Sequence, residues 1–433
     1  MDFYVAQLIW RTSNQNHRKI LLGISICGNL GLLGFFKYTD FAITQFNIFG
    51  NLIDLKQEIP LMHIFLPVGI SFYTFQTIAY TIDVYRKSIE PRKSFLEFSL
   101  FVSFFPQLVA GPIIRAKTFF PQITRRFNKS AKEELKLIIF ENSNLKLGAS
   151  LMALGLFKKM VFADNIAPLV NQIFHSPIGS ESFTIILGAI GFGIQVYCDF
   201  SGYSDIAIGA ALILGIKIPK NFNKPFFAKS PSDYWWRWHI SLTTWVRDYL
   251  YYPLIWKKKK STLHILLGLF LSMLILGIWH GAGWNWVIFG VIWGIILVIQ
   301  RYFSIKFPTK NIKFFKTKVW TIIATVLTQY FVFSTFLAFR ITDPEDYFYS
   351  IQKYVILDFN FTQSLELIKS NEIAVGLIII FFILHTISFK INNLPEKISN
   401  LKNVYFFGFI ISITVLILLT YDGTAEQFVY FQF

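Results

Sequence analysis

The chain has 433 residues, of which 54% are hydrophobic and only 15% are charged, whereas about 25% of the residues in an ordinary soluble domain are charged. This composition excludes a soluble globular enzyme. The 41 Lys and Arg residues exceed the 25 Asp and Glu residues and give a net charge of +16. Most of this excess lies in short tracts between long apolar runs, so the positive-inside rule explains it better than nucleic-acid binding does.

The start of the chain has the pattern of a membrane anchor. Residues 1–19 carry basic side chains ahead of an apolar stretch, and no small-residue cleavage site follows, so we expect an anchor rather than a removed signal peptide. Cys27 and Cys198 each lie in an apolar run, where a thiol behaves as a small hydrophobic group. No disulfide framework is expected.

Apolar stretches of about 20 residues are long enough to cross a bilayer as helices. Eleven such stretches lie, in chain order, at residues 20–36, 61–82, 95–110, 144–163, 182–200, 203–219, 262–280, 283–300, 319–341, 373–389 and 404–421. About ten of them are expected to cross or enter the membrane. Gly, Pro or polar residues interrupt several, as at 66–69 and 104–112, which predicts broken or re-entrant segments there. The predicted fold is an all-α, polytopic integral membrane protein with a single domain over residues 1–433.

Basic connections predict the orientation of the second half of the chain. Residues 257–260 are an unbroken lysine run, and residues 301–318 contain six basic residues and no acid, so both connections should be cytoplasmic. Between them lies an apolar hairpin, 262–300, whose turn at 279–284 must face the other side or dip back into the bilayer. This places His280 at membrane depth.

Ionisable groups within membrane segments are costly and are therefore candidates for function. His239 and His280 stand in segments dense in aromatic and small residues, 235–241 and 277–283, which suit the enclosure of a ligand. An imidazole accepts and returns a proton near neutral pH, as acyl transfer to a hydroxyl requires. A hydrogen bond across a tight helical hairpin explains His280 equally well.

Residues 198–205 form a third polar cluster, which we interpret as a break between two apolar runs. Its carboxylates, Asp199 and Asp205, either orient a histidine, bind a substrate hydroxyl or cap the following helix. A serine nucleophile is disfavoured because Ser201 lacks the G-x-S-x-G pattern. No metal site is expected either, since the chain has no H-E-x-x-H motif and no pair of histidines four residues apart.

Residues 233–252 combine aromatic rings with charges, as an amphipathic interfacial helix does. A membrane-surface anchor explains this pattern well. The alternative is a catalytic or donor-binding role, in which Arg237 and Arg247 clamp an anionic group such as a phosphate or a carboxylate.

Taken together, six segments resemble the membrane-bound O-acyltransferase (MBOAT) family, and specifically its bacterial branch of alginate O-acetylation proteins. They lie, in chain order, at residues 28–38, 104–115, 199–205, 234–253, 279–281 and 430–433. The resemblance implies a multi-helix membrane bundle with a central funnel or tunnel and re-entrant segments. It also implies that a histidine activates the acceptor hydroxyl.

By position, the resemblance makes His280 the catalytic base and His239 a second catalytic or substrate-orienting histidine. The residues expected to have supporting or substrate-binding roles are Asp199, Arg237, Arg247, Asp248 and Trp279. Proteins of this branch usually carry further apolar helices ahead of residues 28–38, so the N-terminus is expected to be misassigned or shortened.

The function implied by the resemblance is the transfer of an acyl group, expected to be acetyl, to an extracytoplasmic, alginate-like polysaccharide by an enzyme of the cytoplasmic (inner) membrane. Acetyl-CoA is the expected donor, and no bound cofactor is expected. The expected partners are a periplasmic or surface accessory acetyltransferase and membrane lipid. D-alanyl transfer to teichoic acid is a second hypothesis. A proton-coupled or solute transporter is an alternative of another class, although it predicts inverted repeats, which the sequence does not show.

Overall fold

The computed structural model describes residues 1–55, 58–130, 142–255, 261–307, 313–421, 423 and 426–429. The lysine run at 257–260, part of the second basic connection at 308–312 and the closing motif at 430–433 lie outside the described residues. Within the described residues all regular secondary structure is helical, which confirms the predicted all-α class.

Nineteen helices are described. The first ten are α1 (Asp2–Arg11), α2 (Gln15–Leu52), α3 (Ile70–Tyr85), α4 (Phe95–Val102), α5 (Ala116–Ser130), α6 (Asn142–Leu156), α7 (Asp164–His175), α8 (Ser182–Ile213), α9 (Pro231–Trp235) and α10 (Ile240–Trp245). The others are α11 (Tyr252–Ile255), α12 (Thr262–His280), α13 (Trp284–Lys306), α14 (Lys318–Arg340), α15 (Pro344–Val355), α16 (Thr362–Ser370), α17 (Glu372–Lys390), α18 (Leu394–Ser399) and α19 (Asn403–Thr420).

Seven of the described helices are long and apolar enough to cross a membrane, namely α2, α8, α12, α13, α14, α17 and α19. The predicted spans at 61–82 and 95–110 instead form the shorter helices α3 and α4, each next to irregular backbone. A 3₁₀ turn at Phe105–Gln107 interrupts the second of them, which confirms the predicted break at 104–112. A π turn at Phe157–Ala163 joins α6 to α7.

The predicted break at residues 198–205 is wrong, because α8 runs through it without interruption. Small residues allow α8 to pack closely against α6. A Cβ at Gly202 would lie 2.7 Å from the carbonyl oxygen of Gly155, and a Cβ at Gly155 would lie 2.5 Å from the carbonyl oxygen of Gly202. The carboxylate of Asp205 is paired with Lys158 at 2.6 Å. The polar residues are therefore accommodated by packing and pairing within a continuous helix.

Helix α8 is the centre of the bundle. In its most apolar window 78% of the residues are buried inside the protein, against 11% for α19. The larger of the two apolar cores surrounds α8 with side chains from α3, α7, α12, α13, α14 and α17. A smaller core joins α1, α3, α4 and α5 to the end of α8. Side chains that point inward from α8 therefore face the helices that carry both motif histidines.

Helices α12 and α13 form the predicted apolar hairpin and approach each other at a glycine contact. A Cβ at Gly277 would lie 2.5 Å from the carbonyl oxygen of Trp286 and 2.7 Å from the Cα of Gly290. Both obstacles are backbone atoms that cannot move without separating the helices. This contact sets the distance between the helix that ends at His280 and its neighbour.

We expect Gly277→Ala to destabilise the protein by about 1–3 kcal/mol, the usual cost of overpacking. Gly408→Ala is the matched control, because nothing lies within 4 Å of a Cβ at this helical position. Both changes gain the same helix propensity, so their difference isolates packing. Thermal unfolding of the purified protein in detergent measures it. Equal midpoints for the two variants would contradict the close contact.

Candidate active site

The imidazole of His280 lies at the C-terminal end of α12 in a cage of aromatic rings. Trp286 stacks on it with ring centroids 5.6 Å apart, while Phe289 and Phe339 meet it edge-on at 5.8 and 5.6 Å. His280 is only 9% exposed. Rings on several sides fix the plane of the imidazole and exclude bulk water from most of it.

The chain reverses direction directly after His280, and packing requires glycine at residue 281. The indole of Trp286 occupies the position that a Cβ at Gly281 would take, so a larger residue would displace the ring that stacks on His280. The amide of Asn285 donates a hydrogen bond to the carbonyl oxygen of Ala338 at 3.1 Å. The hairpin turn is thereby tied to α14.

Two side chains of α2 satisfy the last carbonyl groups of α12. Lys37 Nζ donates to the carbonyl oxygens of Trp279 at 2.8 Å and His280 at 2.6 Å. The hydroxyl of Tyr38 donates to the carbonyl oxygen of Ile278 at 2.5 Å. These carbonyls have no partner within their own helix, and a cation at this end is electrostatically favoured. The motif at 28–38 therefore holds the helix that presents His280.

Sequence reasoning did not single out Lys37. A signal is present, since Lys37 is the only charged residue between Lys19 and Asp40, and isolated charges in apolar runs are candidates for function. Its partners, however, are backbone carbonyls more than 240 positions away, and no sequence pattern identifies them.

His280 separates two cavities. The inner cavity, of about 20 Å³, lies among aromatic side chains that include Phe200 and Phe339 and is large enough for one water molecule. The outer cavity, of about 250 Å³, is lined by Lys37, Trp279 and the first turn of α3. His280 thus borders a larger, open cavity as well as the small aromatic one.

His239 and His280 share the neighbouring ring of Phe200. The side chain of His239 is 1% exposed, and its ring lies 4.7 Å from Phe200, which also lines the inner cavity, and 6.5 Å from Phe72. The backbone of His239 has φ +44°, a left-handed conformation that is uncommon outside glycine and is concentrated at functional sites.

Residues 233–252 do not form a single amphipathic surface helix. They are divided among α9, α10, a π turn at Val246–Tyr251 and α11. The rings of Tyr234, Trp235, Trp238 and Trp245 are buried in the larger core. The prediction of a single membrane-surface helix is therefore wrong for this segment, because its backbone is divided and these four rings pack inside the protein, although Trp236 and Tyr252 remain exposed.

The two arginines predicted to clamp an anion each have a carboxylate partner. Arg237 Nε lies 2.8 Å from Asp233, and Arg247 Nε lies 2.7 Å from Asp248. Asp248 also pairs with Arg115 at 3.2 Å. Arg237 and Arg247 are therefore paired locally, and Asp248 connects the segment to Arg115. The roles of these three residues toward a substrate stay predictions.

Asp199 lies in a buried ion pair. Its carboxylate is 2.8 Å from Lys159 and accepts a hydrogen bond from the backbone N–H of Val429 at 2.7 Å. Lys159 pairs in addition with Asp164 at 2.7 Å. These contacts connect α8, the π turn and the C-terminal residues, and none of these partners belongs to the His280 cluster. Asp199 borders the site only through its neighbour, Phe200.

A large cavity of about 1500 Å³, which we call the basic vestibule, was not foreseen from the sequence. Its charged lining residues are Lys19, Asp83, Arg86, Arg115, Lys117 and Asp248. Lys19 and Lys117 form no ion pair with another described residue. Tyr249 lines both the basic vestibule and an apolar cavity of about 410 Å³, which Trp279 also lines.

Comparisons with known proteins identify relatives of the chain. The family model described as MBOAT, membrane-bound O-acyltransferase family, matches residues 86–342. A peptidoglycan O-acetyltransferase of Helicobacter pylori is 34% identical over 368 residues, which cover 79% of this chain and 66% of that protein. A probable alginate O-acetylase AlgI of Pseudomonas putida is 38% identical over 286 residues, 66% of this chain and 55% of that protein.

A teichoic acid D-alanyltransferase of Bacillus subtilis is 29% identical over 283 residues, which cover 63% of this chain and 68% of that protein. The matched region spans between half and two thirds of the length of the two acetyl-transferring relatives.

We expect Asp199→Asn to lower the free energy of unfolding by about 3 kcal/mol. This value is the low end of the cost of breaking a buried ion pair, because Lys159 remains paired with Asp164. Glu396→Gln is the control. It removes a carboxylate from an exposed pair with Lys220 at 3.9 Å, which is worth less than about 1 kcal/mol. Thermal unfolding in detergent compares the two variants, and an equal loss of stability in both would contradict the buried ion pair.

Proposed function

The chain belongs to the membrane-bound O-acyltransferase family, and on this basis we propose that it is a multi-pass membrane enzyme that transfers an acyl group to a hydroxyl of an extracytoplasmic polysaccharide. The observation that carries the proposal is the position of His280. A buried imidazole at the end of a spanning helix, between a closed aromatic pocket and an open cavity, suits a base that must meet a substrate away from bulk water.

In the proposed mechanism His280 is the general base. A neutral imidazole has one nitrogen that accepts a hydrogen bond, and the acceptor hydroxyl gives its proton to this nitrogen as its oxygen attacks the acyl carbonyl. The imidazolium then returns the proton to the leaving group. Such a base contributes about 10²–10⁴-fold to a rate. His239, beside Phe200 and the inner cavity, orients the acceptor or its hydrogen-bonded water.

We propose acetyl as the acyl group. The relatives named for acetyl transfer are 34% and 38% identical to this chain, against 29% for the D-alanyltransferase. Those relatives are named for peptidoglycan and alginate, which supports a polysaccharide acceptor, alginate-like in our proposal. D-alanyl transfer to teichoic acid is the second candidate. All of these relatives are named as transferring enzymes, which favours acyl transfer over the transporter hypothesis.

The basic vestibule supports acetyl-CoA as the donor. Two lysines that have no carboxylate partner among the described residues, and two arginines, line a cavity large enough for a phosphorylated head group. Clustered Lys and Arg attract phosphates. The vestibule also includes Pro253, a few residues before the lysine run that the positive-inside rule places in the cytoplasm. A cytoplasmic donor would therefore enter at this end of α12.

We propose that the protein resides in the cytoplasmic membrane and works with a periplasmic or surface accessory acetyltransferase. Helix α2 has 38 residues and is about 57 Å long, whereas a bilayer core measures about 30 Å. Lys37 meets the end of α12 well before α2 ends. The rest of α2 extends past the His280 end of the hairpin and offers a surface for a partner on the acceptor side.

We expect His280→Ala to abolish the acyl ester on the host polysaccharide, because it removes the proposed base. The measurement is ester-linked acetate released by mild alkali from cell-surface polysaccharide, with an immunoblot of the membrane fraction. His264→Ala is the matched control. It removes a histidine from the first turn of the same helix, where the ring contacts Ser261 at the surface, and the ester should persist.

An unchanged ester profile in His280→Ala cells, under conditions in which deletion of the whole gene removes the ester, would overturn the assignment of the base. The same assay on His239→Ala would then test the second histidine.

We expect the double variant Lys19→Glu/Lys117→Glu to weaken the binding of coenzyme A by about tenfold, equivalent to 1.4 kcal/mol, with a smaller effect at high salt because exposed charges are screened. Titration of coenzyme A against the protein in nanodiscs measures this change. Lys369→Glu/Lys402→Glu is the control with the same change in net charge at exposed positions outside the vestibule. Equal affinities for the two double variants would reject the vestibule as the donor site.

A further inference from the structure

We propose that Lys37 is a catalytic residue whose ammonium group stabilises the negative charge that develops on the acyl carbonyl oxygen during transfer. The inference rests on the proposed acyl transfer at His280. It adds the group that stabilises the tetrahedral intermediate.

The position of the ammonium group is the first argument. Lys37 Nζ donates to the carbonyl oxygens of Trp279 at 2.8 Å and His280 at 2.6 Å. An ammonium group has three N–H donors, so these two bonds fix its position and leave one donor for a ligand. Lys37 and His280 line the same open cavity. A substrate that reaches the base in this cavity therefore also meets the ammonium group.

The charge balance around Lys37 is the second argument. Two other half-buried lysines have carboxylate partners: Lys158 lies 2.6 Å from Asp205, and Lys159 lies 2.8 Å from Asp199. Among the described residues no carboxylate pairs with Lys37, and no acidic side chain lines the open cavity. A partly buried charge without a counter-ion is costly. Lys37 bears this cost beside the candidate base.

The first turn of α3 is the third argument. Residues 70–72 line the open cavity together with Lys37 and His280. The N–H groups of a first helical turn carry the positive end of the helix dipole. An ammonium group and a helix N-terminus thus meet at one cavity, and both favour negative charge there. Preorganised positive groups of this kind are the usual means of stabilising an oxyanion.

The reaction balances with Lys37 charged throughout. The acceptor oxygen forms a bond to the acyl carbon of a thioester donor, the carbonyl π electrons move to the carbonyl oxygen, and His280 takes the hydroxyl proton. Lys37 donates a hydrogen bond to the oxyanion and keeps its three protons. When the carbonyl re-forms, the C–S bond breaks and the thiolate receives the proton from His280.

The alternative role for Lys37 is only to cap α12. A cation at a helix C-terminus is worth about 0.3–1 kcal/mol at an exposed site. Tyr38 makes the same kind of contact one residue further along α2, through its bond to Ile278. The two roles differ in what they predict, because a cap affects the amount of folded protein and an oxyanion donor affects the rate per folded molecule.

The test compares Lys37→Met, Lys37→Arg and Tyr38→Phe in membrane vesicles from the native host supplied with acetyl-CoA. Initial rates of ester formation are normalised to the immunodetected protein, and thermal unfolding is measured on the purified variants. We expect Lys37→Met to lower kcat by about 10²–10³-fold, as removal of an oxyanion donor does, with an unchanged KM for acetyl-CoA. Lys37→Arg, which keeps the charge, should regain at least tenfold over Lys37→Met.

Tyr38→Phe is the matched control, since it removes one carbonyl contact from the same helix end without removing a charge. We expect its kcat to stay within about threefold of the wild type. A Lys37→Met kcat in that same range would overturn the proposal. So would a loss of activity that follows the loss of folded protein and is not regained in Lys37→Arg. Wild-type rates in His280→Ala would instead refute the proposed function itself.

Discussion

Buried charges need partners in this fold, because an unpaired charge in apolar surroundings costs several kcal/mol. Lys159 and Asp199 satisfy each other at 2.8 Å, as Lys158 and Asp205 do nearby. This pairing allows α8 to continue as a helix through a segment rich in polar residues. Because the helix is unbroken, Phe200 is held against His239 and the inner cavity. The ion pairs therefore support the site without belonging to it.

Polar backbone groups at the C-terminal end of α12 also need partners, because they carry partial charges. The last carbonyl groups of a helix have no partner within it, and here they lie beside His280 in the protein interior. Lys37 and Tyr38 of α2 supply the missing donors. The glycine contact between α12 and α13 brings Trp286 over the imidazole. Chain reversal and aromatic stacking thus orient the imidazole ring, and the caps stabilise the end of the helix that carries it.

Composition and apolar runs were enough to predict the all-α class, the hairpin at 262–300 and the placement of His280 in its turn, because each depends on local residue types. The continuity of α8 was not predictable. The lysine that neutralises Asp205 is Lys158, which lies 47 positions away in the sequence, so no pattern near Asp205 indicates the pair. The prediction for residues 233–252 was wrong for a related reason. Arg237 pairs with Asp233 within one turn, so charged and aromatic residues alternate in the sequence as they do on a surface helix, although four of the rings lie in the larger core.

The two ends of α12 have different environments, and this difference bears on how transfer across a membrane is organised. The helix has 19 residues and is about 28 Å long, close to the thickness of a bilayer core. In the proposed function the basic vestibule holds the head group of the donor near the end at Thr262, while His280 and Lys37 act at the other end. The head group and the polymer then stay on opposite sides. Only the arm that carries the acyl group has to pass along the interior, beside Tyr249 and Trp279, whose cavity is lined mainly by apolar side chains.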